Sequence, residues 1–226
     1  MTVGQTVLLA SPLETLAALA RLAGQSDFWA SVGFSLVRIA CGFLLAVGLG
    51  SLLGACAARS RVLKTLISPL LAAVKATPVA SFIIVALIWV PSRGLSVLIS
   101  FLMAFPVIYL NVTEGVEQLT PELQEMAKLF RVPFFRCLRY FCLPELLSRF
   151  YAACAAALGL AWKAGVAAEV IGIPSGSLGE KLYEAKIYLN TPELFAWTLV
   201  IVAVSVLTEK LVLCLLWLLA EKGGRM

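Results

Sequence analysis

Long apolar stretches separated by short polar ones set the plan of this chain. Uncharged runs cover residues 39–58, 76–92 and 94–113. Two further apolar stretches carry charge: about 147–171, which contains Lys163 and Glu169, and about 194–215, with Glu209 and Lys210 near one end. A helix that crosses a bilayer needs about 20 mostly apolar residues. Backbone groups in lipid must be satisfied within the structure, and these runs are far too long for barrel strands. The pattern therefore predicts an all-α polytopic membrane protein with about five transmembrane helices, at about 34–58, 70–92, 94–113, 147–171 and 194–215. No internal repeat or low-complexity linker divides residues 1–226, so a single membrane domain is expected. Pro78, Pro91 and Pro106 are expected to kink or end helices, because proline lacks the N–H a helix interior needs.

The polar intervals predict surface helices. Ser11-Pro12 opens a segment to Ala23 that reads as an amphipathic helix on the membrane surface. Reading 7–23 as a sixth span is the alternative; Pro12, Glu14 and its shortness argue against it. In 174–193, Leu178, Leu182, Ala185 and Leu189 repeat at helical spacing, with Lys181, Glu184 and Lys186 off that face, as in a helix lying along the bilayer. The most informative interval is 120–144. Thr120-Pro121-Glu122 is a helix start: a capping hydroxyl, a proline at the first helical position and an acid at the positive end of the dipole. Leu123, Met126, Ala127 and Phe130 share one helix face; Pro133 interrupts; Phe134, Cys137, Leu138 and Phe141 form a second face, and Pro144 closes it. A charged, structured knuckle between two membrane spans must lie in water, where it can meet a partner.

Composition excludes a soluble domain: 61% of residues are hydrophobic, 14% are charged, and the mean hydropathy is +0.97. The net charge of +5 follows topology and calls for no nucleic-acid partner. Arg59, Arg61 and Lys64, then Lys128, Arg131, Arg136, Arg139 and Arg149, then Lys222 and Arg225 fall on one side, which the excess of basic residues assigns to the cytoplasm. The C-terminus is then cytoplasmic and, with five spans, the N-terminus is outside. No basic residue precedes Arg21, so a cleavable signal peptide is not expected. Histidine is absent, which removes His-based acid–base chemistry and His-ligated metals. The six cysteines have no metal-ligand spacing. No catalytic residue, metal site or cofactor of the chain's own is expected.

The 120–144 knuckle resembles the EAA loop of the permease subunits of type I ABC importers, the binding-protein-dependent transport family. Glu125, Ala127 and Leu143-Pro144 match its pattern at the right distances; Met126 replaces the first alanine and Phe141 the isoleucine. Arg131 stands where the family has glycine. A glycine takes positive φ cheaply and an arginine does not, so either the turn differs or the docking surface is individual to this subunit. The resemblance runs from about 11 to 211. Phe105-Pro106 with Asn111, Thr113 and Gly115 is similar to the family's segment before the loop. Gly159-Leu160-Ala161-Trp162-Lys163, Glu169, Ser175-Gly176-Ser177-Leu178-Gly179 and Asn190-Thr191-Pro192 are similar to the branch that imports nitrate, sulfonates, taurine or pyrimidine precursors.

The resemblance implies a bacterial inner-membrane permease that works with a second permease copy, identical or similar. Its partners would be cytoplasmic ATPase subunits, which carry the ATP and Mg²⁺, and an extracytoplasmic substrate-binding protein that delivers cargo near the 174–193 segment. It implies that Glu125, Ala127, Lys128, Leu129 and Arg131, with Leu143 and Pro144 closing the loop, contact the ATPase. Members of this branch usually carry one further span upstream of the Ser-Pro surface helix. Candidates for the transport pathway are the polar groups within or beside spans: Lys163, Glu169, Thr77, Ser81 and Asn111. For Lys163 the alternatives are contact with an anionic cargo, a structural ion pair, or a side chain snorkelling along its helix. Glu169, six residues on, is poorly placed to pair with it; it pairs elsewhere, caps a neighbouring helix or serves an outer gate. An ion-coupled carrier and an integral membrane enzyme are the rival classes. The first wants midplane acids and related halves, the second clustered acids, a metal or a nucleophile with its base, and none of these patterns is evident.

Overall fold

The computed structural model describes residues 10–117 and 143–224. Among them it has eight helices and no strand: α1 (Pro12–Ala23), α2 (Ser26–Arg59), α3 (Arg61–Ala76), α4 (Val79–Ala86), α5 (Ser92–Glu117), α6 (Leu143–Gly172), α7 (Leu178–Ile187) and α8 (Thr191–Gly224). The first is the helix that Ser11-Pro12 predicts. Its start is a reciprocal box: the Glu14 N–H donates to the Ser11 hydroxyl at 3.2 Å, and the Ser11 N–H donates to the Glu14 carboxylate at 2.9 Å. Thr15, Ala18 and Leu22 form its buried face, while Leu13 and Leu16 are exposed.

Among the described residues, four helices are long and apolar enough to cross a membrane: α2, α5, α6 from Arg149, and α8. The count reaches five if α3 and α4 are one broken span, bent by 105° at their junction. The expected run at 70–92 is thus divided, and the cause is local. Pro78 disfavours the helical region for the residue before it, and Thr77 is extended at φ −85° and ψ 131°. Pro91 directly precedes α5, as expected of a helix boundary. Pro106 lies inside α5, which continues to Glu117, so of the two expected outcomes it does not end the helix. A transmembrane helix tolerates this when neighbouring groups re-satisfy the freed carbonyl.

The chain forms two compact units. Among the described residues, the first comprises 10–42, 78–100 and 161–210; the second comprises 43–77, 101–117, 143–160 and 211–224. In the first, Ile39, Leu95, Ile99, Ala161 and Ala168 are buried, and the Ser100 hydroxyl donates to the Ala161 carbonyl at 3.0 Å, tying α5 to α6. Phe28 stacks on Trp197 with ring centroids 5.1 Å apart, holding the start of α2 against α8. In the second, α2 and α5 meet backbone to backbone. A Cβ on Gly54 would come within 2.9 Å of the Tyr109 carbonyl and 3.1 Å of Val112, so only glycine permits the approach. The contact brings the Thr113 hydroxyl to the Gly54 carbonyl at 3.2 Å. Small residues at such crossings let helices associate without a hydrophobic driving force.

The most apolar window of α8 is only 6% buried, against 56% for α5. Val202, Val206, Leu207, Leu211 and Leu215 stand exposed along it. A helix apolar all round needs an apolar environment, so this surface meets lipid or other protein.

Candidate transport site

The polar residues of the first unit converge on the start of α7. Glu169, one turn before the end of α6, is 0% exposed. Its Oε2 accepts from the Ser35 hydroxyl at 2.6 Å and from the Gly179 N–H at 3.3 Å. Ser35 in turn accepts from the Leu178 N–H at 2.9 Å, and the Ser177 hydroxyl accepts from the Glu180 N–H at 3.0 Å. The first three N–H groups of α7 are therefore all satisfied, two of them by side chains from other helices. A carboxylate at a helix N-terminus also meets the positive end of the dipole. Of the three roles open to Glu169 in the sequence, the capping of a neighbouring helix is the one its contacts display.

The turn between α6 and α7 is shaped for this contact. Ile173 has φ 45° and Gly176 φ 83°. A β-branched residue at positive φ costs about 1–3 kcal/mol, tolerated where the surroundings fix it. The reversal brings Gly179 so close that a Cβ there would overlap the Glu169 backbone and side chain.

One charge in this cluster escaped the sequence reading. Arg38 lies within the expected first span, one residue before the uncharged run that starts at 39, and three residues along α2 from Ser35. Its guanidinium sits 4.0 Å from the Phe34 ring centroid and interacts electrostatically with Glu169 and Arg93. The signal was available: an arginine inside a membrane span is costly and is a functional candidate by default.

Lys163 has the opposite setting from Glu169. It is exposed on the surface of α6, with no ion pair or hydrogen bond among the described residues. Asn111 is half-buried, and its side-chain amide donates to the Val107 carbonyl at 2.9 Å; the Thr77 hydroxyl donates to the Ala73 carbonyl at 2.8 Å. Both satisfy backbone one turn back. Ser81 is exposed on α4. The five pathway candidates are thus not gathered at one place by their contacts.

The α7 helix carries its own charge lock. Lys181 Nζ lies 2.8 Å from Asp27 Oδ2 and 3.8 Å from Glu184 Oε2. The hydrogen bond to Asp27 is the main reason that Lys181 titrates above the usual lysine range, against the opposing effect of burial. A raised lysine pKa stabilises the fold below the unfolded value, roughly 10.4, and that contribution is lost as pH rises through the folded value. Lys181→Met should therefore lower the melting temperature at pH 7, and the gap from the unsubstituted protein should close at strongly alkaline pH. A gap independent of pH would assign the effect to packing. Leu189, expected on the apolar face of this helix, lies beyond its end with φ 53° and is 71% exposed. The left-handed turn that ends the helix carries it off the face.

Of the residues expected to meet an ATPase, Glu125, Ala127, Lys128, Leu129 and Arg131 lie outside the described residues. Leu143 and Pro144 are the first described residues of α6. At the other edge of the interval, Glu117 pairs with Lys64 Nζ at 2.7 Å, joining α5 to α3.

Comparison with known proteins places this arrangement. Residues 46–220 match the family described as binding-protein-dependent transport system inner membrane component, a range that takes in the interval 120–144. The chain is similar to the putative aliphatic sulfonates transport permease protein SsuC of Bacillus subtilis strain 168, 26% identical over 205 residues, covering 90% of this chain and 74% of that protein. It is similar to the bicarbonate transport system permease protein CmpB of Synechococcus elongatus, 25% identical over 186 residues, covering 82% and 66%. It is similar also to the nitrate import permease protein NrtB of the same species, 26% identical over 152 residues, covering 67% and 54%. With the match spanning most of its length, the chain belongs to the family of binding-protein-dependent transport system inner membrane components, the multi-pass permeases of ABC importers.

Proposed function

We propose that this permease forms, with a second copy of itself or a similar subunit, the translocation pathway for a small anion. Two cytoplasmic ATPases would drive it, and an extracytoplasmic binding protein would deliver the cargo. The observation that carries the cargo class is Lys163: a cation exposed on a membrane-spanning helix, unpaired among the described residues. A charge at mid-membrane costs roughly 2.5–3.5 kcal/mol, while each Leu- or Val-like residue returns only about 0.3–0.6. The alanine-rich helix around Lys163 offers little to offset it. A water-filled path between subunits, occupied in turn by an anion, relieves that cost. The names of the three relatives concern sulfonates, bicarbonate and nitrate, all anions.

Coupling to the ATPase is assigned to Glu125, Ala127, Lys128, Leu129 and Arg131, with Leu143 and Pro144 where the loop enters α6. ATP and Mg²⁺ act on the ATPase, and this subunit supplies rigid helices that carry the motion into the membrane. The basic cleft of the second unit, formed by Arg59, Arg61 and Lys64 beside Glu117, supports a cytoplasmic position for that face and for the C-terminus. The test is co-purification. Glu125→Ala should reduce recovery of the ATPase with the tagged permease to about a tenth or less, as expected when a charged anchor worth roughly 1.5–3 kcal/mol is removed. Full recovery would contradict the assignment of Glu125.

A further inference from the structure

The capping cluster of the first unit holds an unmatched donor and an unmatched acceptor of opposite charge. Glu169 uses Oε2 for Ser35 and Gly179, while its Oε1 is buried with no hydrogen-bond partner. Arg38 is half-buried as a residue, but its Nη1 is covered and unbonded. The two groups sit on packed helices, α2 and α6, and feel each other electrostatically, yet they make no ion pair. The hydroxyl of Ser31, one turn from Ser35, is buried and unbonded as well; that of Ser96, also buried, interacts with the Glu169 carboxylate but does not meet hydrogen-bond geometry. Folded proteins satisfy nearly all such groups, and a charged one is the most costly to leave unmade. Packed helix interfaces shift between discrete arrangements rather than deforming smoothly, so a donor and acceptor unmatched in one arrangement can be matched in another.

We propose that Arg38 and Glu169 form an ion pair that opens and closes during the transport cycle, and that this structure holds it open. The proposal rests on the reading of the chain as an ATP-driven permease. Glu169 is suited to the role because its two oxygens face different tasks. Oε2 stays on the N-terminus of α7 while Oε1 is free to take Arg38. Closing the pair draws α2 toward α6 and does so at the foot of α7, so a push on α7 reaches the spans through one carboxylate. Arg38 is here a positioning residue: it acts on the helices and touches no cargo.

The test is a double-mutant cycle in two nucleotide states of the purified permease–ATPase complex. The variants are Arg38→Gln, Glu169→Gln and the double substitution. Glutamine at 169 keeps a carbonyl oxygen for Ser35 and Gly179, so the cap survives. Melting temperatures are compared without nucleotide and after trapping with ATP and orthovanadate. In one state each single variant should melt several degrees lower, with the double no lower than either single; in the other state the single effects should be small and additive. Arg38→Lys should recover part of the loss in the first state. It also replaces Arg38→Gln in the cycle, with a smaller shift of the same sign, should that variant not assemble. Equal coupling in both states, as a fixed water-bridged pair would give, overturns the proposal, and so does no coupling in either. A preparation with no ATPase bound would remove the ATP-driven reading and this proposal together, whereas a hydrolysing complex with state-independent coupling removes only the switch.

Discussion

Lys163→Glu is expected to reduce anion uptake by about a hundredfold, and Lys163→Gln by about tenfold, while assembly with the ATPase is retained. The scale follows from a charge-assisted contact of roughly 1.5–3 kcal/mol, to which reversal of the charge adds repulsion. Lys163 stands exposed on α6 with no partner among the described residues, so its removal leaves no buried acid unmatched and little cause for unfolding. Proteoliposomes containing the full complex would be assayed with labelled nitrate, bicarbonate and an alkanesulfonate. Lys163→Arg should keep most of the uptake. If the glutamate variant carries each anion at the unsubstituted rate, Lys163 does not line the path.

The second large effect is structural. Gly179→Ala should lower stability by about 1–3 kcal/mol through overpacking alone, and more once the Gly179–Glu169 hydrogen bond is strained. The added methyl meets the Glu169 carbonyl carbon and the Val170 nitrogen, which are backbone atoms that no rotamer change can move aside. Gly176→Ala is the comparison. Its φ of 83° strains an alanine, but no atom lies within 4 Å of the added carbon, so only a backbone cost of about 1 kcal/mol is expected. Thermal unfolding in detergent should therefore place Gly179→Ala well below Gly176→Ala. The reverse order would mean that α7 does not press against α6 as described.

The features legible in the sequence were those written in local chemistry. Ser11, Pro12 and Glu14 spell a helix start within four residues, and α1 begins there. Apolar length alone announces α2, α5, α6 and α8. Features that depend on another helix were harder to read. The 70–92 run looked continuous because hydropathy is blind to what Pro78 does to Thr77, and the chain turns there by 105°. Arg38 was passed over because it borders an uncharged run. Its meaning comes from Glu169, 131 positions away in sequence. For Glu169 the spacing from Lys163 excluded a pair within α6 but could not choose among partners elsewhere. Ser35 and the Gly179 N–H made that choice through packing. Leu189 followed the helical period and still fell off the helix, since its φ of 53° ends the repeat.

In the proposed mechanism this membrane domain ties anion movement to ATP hydrolysis through the segment around Glu125. The most direct measurement is anion uptake and ATP hydrolysis recorded together in proteoliposomes holding permease, ATPase and binding protein, with and without Glu125→Ala. Uptake should require ATP in the unsubstituted complex, and the alanine variant should lose uptake and cargo-stimulated hydrolysis together. Uptake that proceeds without ATP, or that survives the loss of ATPase binding, would contradict that mechanism.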